Sequence, residues 1–204
     1  MVKKDKDKKL IIGIQGGKGS FNDGVCREYC ENIGIKNYTV KYLYTTRKVL
    51  KALHEKKVDR GVFAIENTIG GTVMETINAL SEYNCQILDN YQINITHTLY
   101  GQDGVDISNI KEIMSHPHAI LQCKKMLSRL YPKKKIVSGK GNLIDSATAA
   151  KALSSNKLNK TTAVLAPPMC REYYKNLSVL KKGLRDKRLN YTNFLFVGRF
   201  NGRK

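Results

Sequence analysis

The chain has 204 residues, of which 41% are hydrophobic, and a formal net charge of +19 at pH 7. This length suits one compact domain or two small lobes with a real core, and the composition is that of a globular rather than a disordered protein. No apolar run approaches the roughly 20 residues that a membrane-spanning helix requires, so we expect no membrane association.

The first nine residues are mostly charged and lead directly into a short apolar run, 10–14. We interpret residues 1–9 as a basic tail and residues 10–14 as the first strand. An apolar run of this length is too short for the core of a cleavable signal peptide. The sequence therefore predicts a cytoplasmic protein.

Short β-like runs alternate with amphipathic helical patterns through the first half of the chain. The predicted elements are, in order, strand 10–14, helix 22–33, strand 40–44, helix 46–55, strand 61–65 and helix 73–80. On the last of these helices the three-to-four spacing predicts that Val73, Ile77 and Leu80 face the core. The βαβαβα order is typical of a mostly parallel sheet with helices on both faces.

The second half begins with an extended stretch, 85–100, which is longer than an average strand and could connect two lobes. The elements predicted after it are strand 110–114, helix 119–130, strand 135–138, helix 146–153, strand 162–165, helix 169–174 and strands 177–180 and 194–197. We expect the last strand to return to the first lobe, so that two connections cross between lobes.

The five cysteines are spread along the chain, and only Cys26 and Cys30 lie one helical turn apart. A zinc site requires closely spaced pairs of Cys or His ligands, and no second pair accompanies these two. We therefore expect reduced, buried thiols and no metal site.

The positive charge is concentrated in the N-terminal tail and in the runs 133–135 and 181–188. Such runs can bind the phosphates of a nucleic acid, or they can raise the local concentration of an anionic substrate. The sequence has no helix-turn-helix, zinc-finger or RNA-recognition signature. The sequence therefore argues against nucleic-acid binding as the main function and favours a small anionic ligand.

Four short segments place small polar residues where a strand ends or a helix begins: 16–21, 65–68, 115–119 and 190–198. Backbone N–H groups are free at such junctions and can face an anion. Their number suggests a cleft that binds a small anionic molecule. The first segment has neither the third glycine nor the downstream acid of a dinucleotide-binding motif, so we expect no dinucleotide cofactor.

These four segments resemble the catalytic domain of the prephenate dehydratase family over nearly the whole chain, 11–198. The family pattern Gly-x-x-Gly-Ser-Phe corresponds to residues 16–21, and Ile-Glu-Asn-Ser/Thr, followed by Gly and Val-x-x-Thr, corresponds to residues 65–76. Ser-His-Pro-x-Ala-x-x-Gln-Cys corresponds without a gap to residues 115–123, and Thr-Arg-Phe to residues 192–194. Each motif alone is a weak signal, but all four occur in the family's order.

The resemblance implies an α/β fold of two lobes with mixed, mostly parallel sheets, like a type II periplasmic binding protein, with the active site in the cleft between the lobes. Lobe 1 is then formed by residues 10–94 with 190–200, and lobe 2 by residues 95–189. The family also suggests a homodimer or larger homo-oligomer. Its C-terminal regulatory ACT domain has no counterpart after Gly198, so we expect no ACT domain.

The reaction that the resemblance implies is the conversion of prephenate to phenylpyruvate in L-phenylalanine biosynthesis, with loss of CO2 and water. It uses no metal or organic cofactor. Prephenate carries two carboxylates and a ring hydroxyl, so the protein must hold two anionic groups and assist the departure of the hydroxyl.

By the same resemblance, Thr192 is the catalytic residue that assists the leaving hydroxyl. The residues implied to bind the substrate are Ser20, Phe21, Glu66, Asn67, Thr68, Ser115, Gln122, Ser146, Asn193 and Phe194. Helix capping would explain Ser20 or Ser146 equally well. We interpret His97 and His116 as residues that satisfy backbone groups.

The sequence departs from the family pattern at Pro167-Pro168, where the family has small or polar residues, and at Asn193. Asn193 stands where the family has arginine, which removes a fixed cation that could bind a carboxylate in a bidentate manner. Two alternatives therefore stay open: a prephenate decarboxylase that does not aromatise the ring, and a non-catalytic anion-binding or sensor protein. Retention of Thr192, Glu66 and Asn67 argues against the decarboxylase.

Overall fold

The structure, a computed structural model, describes residues 9–200. The predicted basic tail therefore lies, apart from Lys9, outside the described residues. The contacts divide the chain into two units: the first holds the residues up to Gly17, Phe21–Ile93 and those from Tyr191 onward, and the second holds Lys18–Ser20 and Asn94–Asn190.

The described chain forms a mixed α/β fold with two sheets. The strands are β1 Leu10–Ile14, β2 Tyr38–Tyr42, β3 Arg60–Asn67, β4 Gly71–Thr72, β5 Cys85–Asn94, β6 His97–Gln102, β7 Glu112–Ser115, β8 Lys135–Ser138, β9 Thr162–Ala166, β10 Leu177–Leu184 and β11 Tyr191–Arg199. The helices are α1 Phe21–Asn32, α2 Thr46–His54, α3 Met74–Glu82, α4 Pro117–Leu130, α5 Ser146–Ser154 and α6 Cys170–Tyr173. None of the described helices is both long and apolar enough to cross a membrane.

The first unit contains a sheet with the strand order β2-β1-β3-β11-β5, and β4 pairs with the end of β3. β1 runs parallel to β2 and to β3, whereas β11 runs antiparallel to β3. The antiparallel register sets Thr192 opposite Asn67 and Val197 opposite Gly61. The chain therefore brings its last strand back beside β3, so that two distant motifs of the sequence become neighbours.

Apolar residues at helical spacing attach α2 to this sheet. Val49, Leu50 and Leu53 are buried in one cluster with Phe63 and Val197 from the strands. Gly61 has no room for a side chain, because a Cβ atom there would lie 2.7 Å from Val49 Cγ1. The apolar residues that lie at helical spacing in the predicted helix 46–55 are thus the ones that pack against the sheet.

The core face predicted for α3 is wrong at Val73 and Ile77, whereas Leu80 is partly buried and packs against the core cluster that contains α2. Thr76 and Ala79 are the buried residues of this helix, whereas Ile77 is 37% exposed and Val73 precedes the helix as its N-cap residue. The Thr76 hydroxyl donates to the carbonyl oxygen of Ala64 and lies 2.8 Å from the hydroxyl of Thr46. Because of these polar contacts, α3 packs against the sheet with small residues. The spacing of its apolar residues does not indicate this face.

The second unit contains a sheet with the strand order β10-β6-β9-β7-β8. β7 runs parallel to β8 and β9, and β6 runs antiparallel to β9 and β10. A buried cluster of Leu99, Ile113, Leu165 and Cys123 joins α4 to the sheet. The two mixed sheets agree with the fold class that the sequence predicts.

The extended stretch predicted over 85–100 is two strands. β5 ends at Asn94 and β6 begins at His97, and the two belong to different sheets. β5 is an edge strand with Ile87 61% and Leu88 41% exposed, whereas every residue of β6 is buried. Burial therefore changes abruptly at 95–97, although the alternation of apolar residues continues through it.

The strand predicted over 177–180 continues to Leu184. Register shifts on either side of Lys181 interrupt its pairing with β6, and Gly183 has a φ of +70°. Such bulges let a strand absorb residues that do not fit the regular alternation. The segment Lys181-Lys182-Gly183 does not look like a strand in the sequence for this reason.

Asp186 follows β10 and bonds to the middle of α4. Its backbone N–H donates to the carbonyl oxygen of Gln122, while its carboxylate accepts from the N–H groups of Lys125 and Met126, each at 2.8 Å. In a regular helix the N–H of Met126 would donate to the carbonyl of Gln122. Asp186 therefore takes part in the hydrogen-bond ladder of α4 at the turn that carries Gln122.

Replacement of Asp186 by alanine should destabilise the protein. Two helix N–H groups would lose a charged acceptor, which we expect to cost about 1–3 kcal/mol of the free energy of unfolding. Urea denaturation followed by circular dichroism measures this loss. Asp103→Ala is the control, because within residues 9–200 that exposed carboxylate accepts only a 3.3 Å bond from Ser178, and its loss should change stability by less than about 0.5 kcal/mol. Equal effects of the two substitutions would contradict the bridging role of Asp186.

Candidate active site

The first unit joins Thr192 and Asn67 through a buried hydrogen bond. Asn67 Nδ2 donates to Thr192 Oγ1 at 2.8 Å, and the two residues are only 4% and 7% exposed. The bond connects the C-terminal end of β3 to the beginning of β11, where the two strands face each other. The sequence motifs 65–68 and 192–194 thus meet at one edge of the sheet.

The amide of Asn67 has an unambiguous orientation. Its Oδ1 accepts from the N–H groups of Ile69 and Gly70, at 2.9 and 2.7 Å, and its Nδ2 also donates to the carbonyl oxygen of Tyr191. If the amide were flipped, its NH2 group would face the N–H groups of Ile69 and Gly70, and donors would oppose donors. Since Asn67 must therefore donate to Thr192 Oγ1, the threonine hydroxyl acts there as an acceptor and keeps its own proton for another partner.

Three more predicted residues lie on the same strand ends. Thr68 Oγ1 accepts from the N–H of Tyr191 at 3.0 Å, and Asn193 Oδ1 accepts from Gln92 Nε2 at 2.9 Å. Glu66 is exposed and lies opposite Asn193 in the strand register. The hydroxyl of Thr68 supports the backbone of β11, whereas Glu66 is accessible to a ligand.

The two predicted phenylalanines differ in their surroundings. Phe194 is 1% exposed and belongs to the core, so the structure gives it a packing role. Phe21 is partly exposed at the first position of α1.

In the second unit, Ser115 and Ser146 connect three elements. Ser115 Oγ donates to the carbonyl oxygen of Leu165 at 2.6 Å and lies 3.1 Å from Ser146 Oγ, which in turn accepts from the N–H of His116. Ser115 is fully buried. Because the proton of its hydroxyl is engaged by Leu165, Ser115 has no donor left for an anion.

Asp145, not Ser146, caps α5. The carboxylate of Asp145 accepts from the N–H of Thr148 at 2.8 Å, so the capping explanation of Ser146 is wrong. Ser146 instead belongs to the Ser115 network. The N-terminus of α4 is capped by His116, whose Nδ1 accepts from the N–H of His118. Burial lowers the pKa of His116, and His118 lowers it further.

Gln122 on α4 is the predicted site residue with the most defined surroundings in the second unit. Its Oε1 accepts from Asn190 Nδ2 at 3.1 Å and lies 3.0 Å from His97 Nε2. The three side chains are at most 6% exposed. Burial is the main cause that lowers the pKa of His97, to about 4, so this imidazole is neutral at physiological pH.

Ser20 lies in a loop that packs within the second unit. The carbonyl oxygen of Gly19 accepts from Cys170 Sγ at 3.4 Å, and the carbonyl oxygen of Lys18 accepts from the Tyr174 hydroxyl at 2.7 Å. Gly19 has a φ of +83°, which favours glycine. Through these contacts Lys18–Ser20 belong to the second unit. The predicted lobe 1, by contrast, included them in its continuous range 10–94.

The described residues contain no group of three or more His, Cys, Asp or Glu side chains that could hold a metal ion. Their charge is unevenly divided. The second unit has 19 Lys and Arg against 6 Asp and Glu, whereas the described part of the first unit has 11 against 9. The second unit therefore has a net charge of +13 and the first a net charge of +2.

A family model described as prephenate dehydratase matches residues 12–201. The chain belongs to the prephenate dehydratase family. This confirms the resemblance carried by the four sequence motifs.

The chain is similar to two enzymes of Arabidopsis thaliana. It is 26% identical over 194 residues to arogenate dehydratase/prephenate dehydratase 2 and 33% identical over 193 residues to arogenate dehydratase 5, both chloroplastic. The matches cover 94% and 93% of the chain but 47% and 42% of those proteins. The chain thus spans about half the length of the relatives it matches.

Two solved structures share the fold. A prephenate dehydratase from Arthrobacter aurescens, solved in complex with L-Phe, has a TM-score of 0.81 at 22% identity over 96% of this chain and 61% of that one. A putative methionine-binding lipoprotein from Bacillus subtilis has a TM-score of 0.51 at 10% identity over 95% of this chain and 84% of that one. Together they support a prephenate dehydratase fold of the periplasmic-binding-protein type.

The predicted residues fall into two groups. Those of the first unit are Phe21, Glu66, Asn67, Thr68, Thr192, Asn193 and Phe194, and those of the second unit are Ser20, Ser115, Gln122 and Ser146. No role is predicted from the sequence for Asn190, which donates to Gln122, although it stands two residues before the predicted catalytic threonine. A buried asparagine beside a candidate catalytic residue is the signal that could have drawn attention to it.

The low pKa of His97 predicts a loss of stability in acid. His97 takes up a proton near pH 6.5 in the unfolded chain but only near pH 4 in the folded protein. Its contribution to the free energy of unfolding is therefore complete above pH 6.5 and is lost as the pH falls toward 4. We expect this group to contribute roughly 3 kcal/mol of the decrease in unfolding free energy.

Urea denaturation at pH 7 and pH 4 tests this for the wild type and for His97→Gln. The variant should lose less stability in acid than the wild type by about that amount. His54→Gln, which changes an exposed histidine, should behave as the wild type does. An identical pH dependence of the wild type and His97→Gln would show that His97 is not buried as a neutral imidazole.

Proposed function

We propose that the protein is a prephenate dehydratase that converts prephenate to phenylpyruvate with loss of CO2 and water. One observation supports this most strongly: the buried hydroxyl of Thr192 accepts from Asn67 and so keeps its proton for a ligand. The family membership supports the same class of reaction.

The reaction needs a hydrogen-bond donor at the leaving group. When the ring carboxylate of prephenate departs as CO2, its electron pair moves into the ring, the C–O bond to the hydroxyl breaks, and the ring becomes aromatic. A threonine hydroxyl is too weak an acid to transfer a free proton readily. We propose that Thr192 donates a hydrogen bond to the departing oxygen, which becomes water with a proton from solvent, and that this is worth about 2–4 kcal/mol in the transition state.

The substrate class is an anion with two carboxylates. The net charge of +13 on the second unit favours such a molecule, because the summed field of many cations raises the local concentration of an anion. The absence of the family's arginine at Asn193 leaves the binding of one carboxylate to other groups. Exposed cations of the second unit are available for this role.

Arogenate is the second candidate substrate, because two relatives are named arogenate dehydratases. It carries an ammonium group where prephenate has a keto group, so its net charge is smaller by one. A third candidate is non-catalytic anion binding, which Asn193 motivates.

The cytoplasmic location and the homo-oligomeric state expected from the sequence stay predictions.

An assay with the two substrates separates these candidates. The purified protein should form phenylpyruvate from prephenate, measured by absorbance in alkali, faster than it forms phenylalanine from arogenate, measured by amino-acid analysis. A preference for arogenate would correct the substrate. Binding of prephenate without either product would favour the non-catalytic candidate, and CO2 release without an aromatic product would favour the decarboxylase.

Removal of the Thr192 hydroxyl should lower kcat strongly. Thr192→Val keeps the shape of the side chain but has no donor, so we expect kcat to fall by about 30- to 1000-fold. Thr192→Ser should retain more activity than Thr192→Val. Thr46→Val is the control, since it removes another buried threonine hydroxyl of the first unit, and it should leave kcat within about threefold. A Thr192→Val variant with wild-type kcat would exclude this role.

Salt should weaken the capture of prephenate more than that of arogenate. Screening of the positive second unit reduces its attraction for a dianion more than for a monoanion. We therefore expect kcat/KM for prephenate to decrease more steeply between about 0.05 and 0.5 M NaCl, where the Debye length shortens about threefold. Parallel curves for the two substrates would show that the net charge does not assist binding.

A further inference from the structure

We infer that Asn190 is a positioning residue that fixes the side chain of Gln122 for the substrate, while Asp186 holds the main chain of the same glutamine. This inference rests on the proposed function. Asn190, Asp186 and Gln122 all belong to the second unit, and Asn190 and Asp186 each bond directly to Gln122.

The orientation of each amide follows from a single backbone carbonyl. The carbonyl oxygen of Ile95 lies 3.4 Å from Asn190 Nδ2, and a carbonyl can only accept, so this atom of Asn190 is the nitrogen. The nitrogen also faces Gln122, so the atom of Gln122 that receives it is the oxygen, Oε1. His97 must then carry its proton on Nε2 to donate to the same oxygen.

The consequence is that the acceptor end of Gln122 is fully used and its donor end is available. Oε1 receives two donors, from Asn190 and His97. Nε2 makes no hydrogen bond to any residue in the described range 9–200, and it does not belong to the buried atoms without a partner there. The side-chain nitrogen of Gln122 thus keeps some accessible surface, where an oxygen of an anionic substrate can accept from its N–H groups.

Asn190 itself is held rigidly. Its N–H donates to Asn94 Oδ1 at 3.2 Å, its carbonyl oxygen accepts from the N–H of Ile95 at 2.6 Å, and Asn94 Nδ2 donates to the carbonyl oxygen of Arg188. These bonds connect the two stretches of chain at which the second unit begins and ends. Asn190 is therefore a fixed support rather than a mobile side chain.

Asp186 fixes the same glutamine through its backbone. The N–H of Asp186 donates to the carbonyl oxygen of Gln122 at 2.8 Å, and its carboxylate holds the next helical turn. The segment 186–190 thus contacts Gln122 at its main chain and at its side chain. Neither Asp186 nor Asn190 needs to touch the substrate to influence it.

A double-mutant cycle tests the inference, with kcat and KM for prephenate measured in the wild type, Asn190→Ala, Gln122→Ala and the double variant. Loss of positioning costs up to about 100-fold, so Asn190→Ala should lower kcat/KM by about 10- to 100-fold, mainly through a higher KM. In the Gln122→Ala background the same change should cost less than about threefold, because its effect passes through Gln122.

The controls separate positioning from stability. A merely structural loss reduces the amount of active protein and leaves KM unchanged. Gln102→Ala is the matched control, since it removes another buried amide of the second unit, which donates to the carbonyl oxygen of Leu158, and its effect should be equal in both backgrounds. If Asn190→Ala does not fold, Asn190→Asp and Asp186→Ala replace it in the cycle.

The outcomes are distinguishable. Non-additive effects with a raised KM support the inference. Equal effects of the Asn190 substitution in both backgrounds, or a wild-type KM in the Asn190 variant, overturn the inference and leave the proposed function intact. No turnover of prephenate or arogenate by the wild type rejects the proposed function, and the positioning role falls with it.

Discussion

The hydrogen bond from Asn67 to Thr192 is the interaction on which the account of this protein depends. It exists because β11 returns from the far end of the chain to pair antiparallel with β3, which sets the two residues opposite each other. The bond determines the polarity of the threonine hydroxyl: its oxygen accepts from Asn67, so its proton stays available to another partner. A threonine at a strand end becomes a directed donor only through this arrangement.

The second unit applies the same principle with a different residue. Gln122 has its oxygen engaged by Asn190 and His97, so its nitrogen is the end that stays available to a ligand. In both units an asparagine donates to the acceptor of the residue that is proposed to meet the substrate. Donors that are fixed before binding suit a substrate whose reacting groups are a carboxylate and a departing hydroxyl, since no reorganisation is needed when charge develops.

The sequence predicted the alternation of elements, the two mixed sheets and the family, because apolar periodicity and short motifs carry that information locally. It did not predict the face of α3, where Thr46 and Thr76 decide the packing through hydroxyl contacts. It also did not separate residues that face a ligand from those that support them. The polar side-chain atoms of Asn67 and Ser115 form hydrogen bonds within the protein, and only the three-dimensional structure shows these partners.

A crystal structure with an analogue of prephenate whose ring is saturated, and which therefore cannot aromatise, tests the central claim most directly. The account predicts that the ring hydroxyl oxygen of the ligand lies within hydrogen-bond distance of Thr192 Oγ1 while Asn67 Nδ2 still donates to that same atom. A bound ligand whose hydroxyl lies away from Thr192, or a Thr192 hydroxyl that no longer accepts from Asn67, would contradict it.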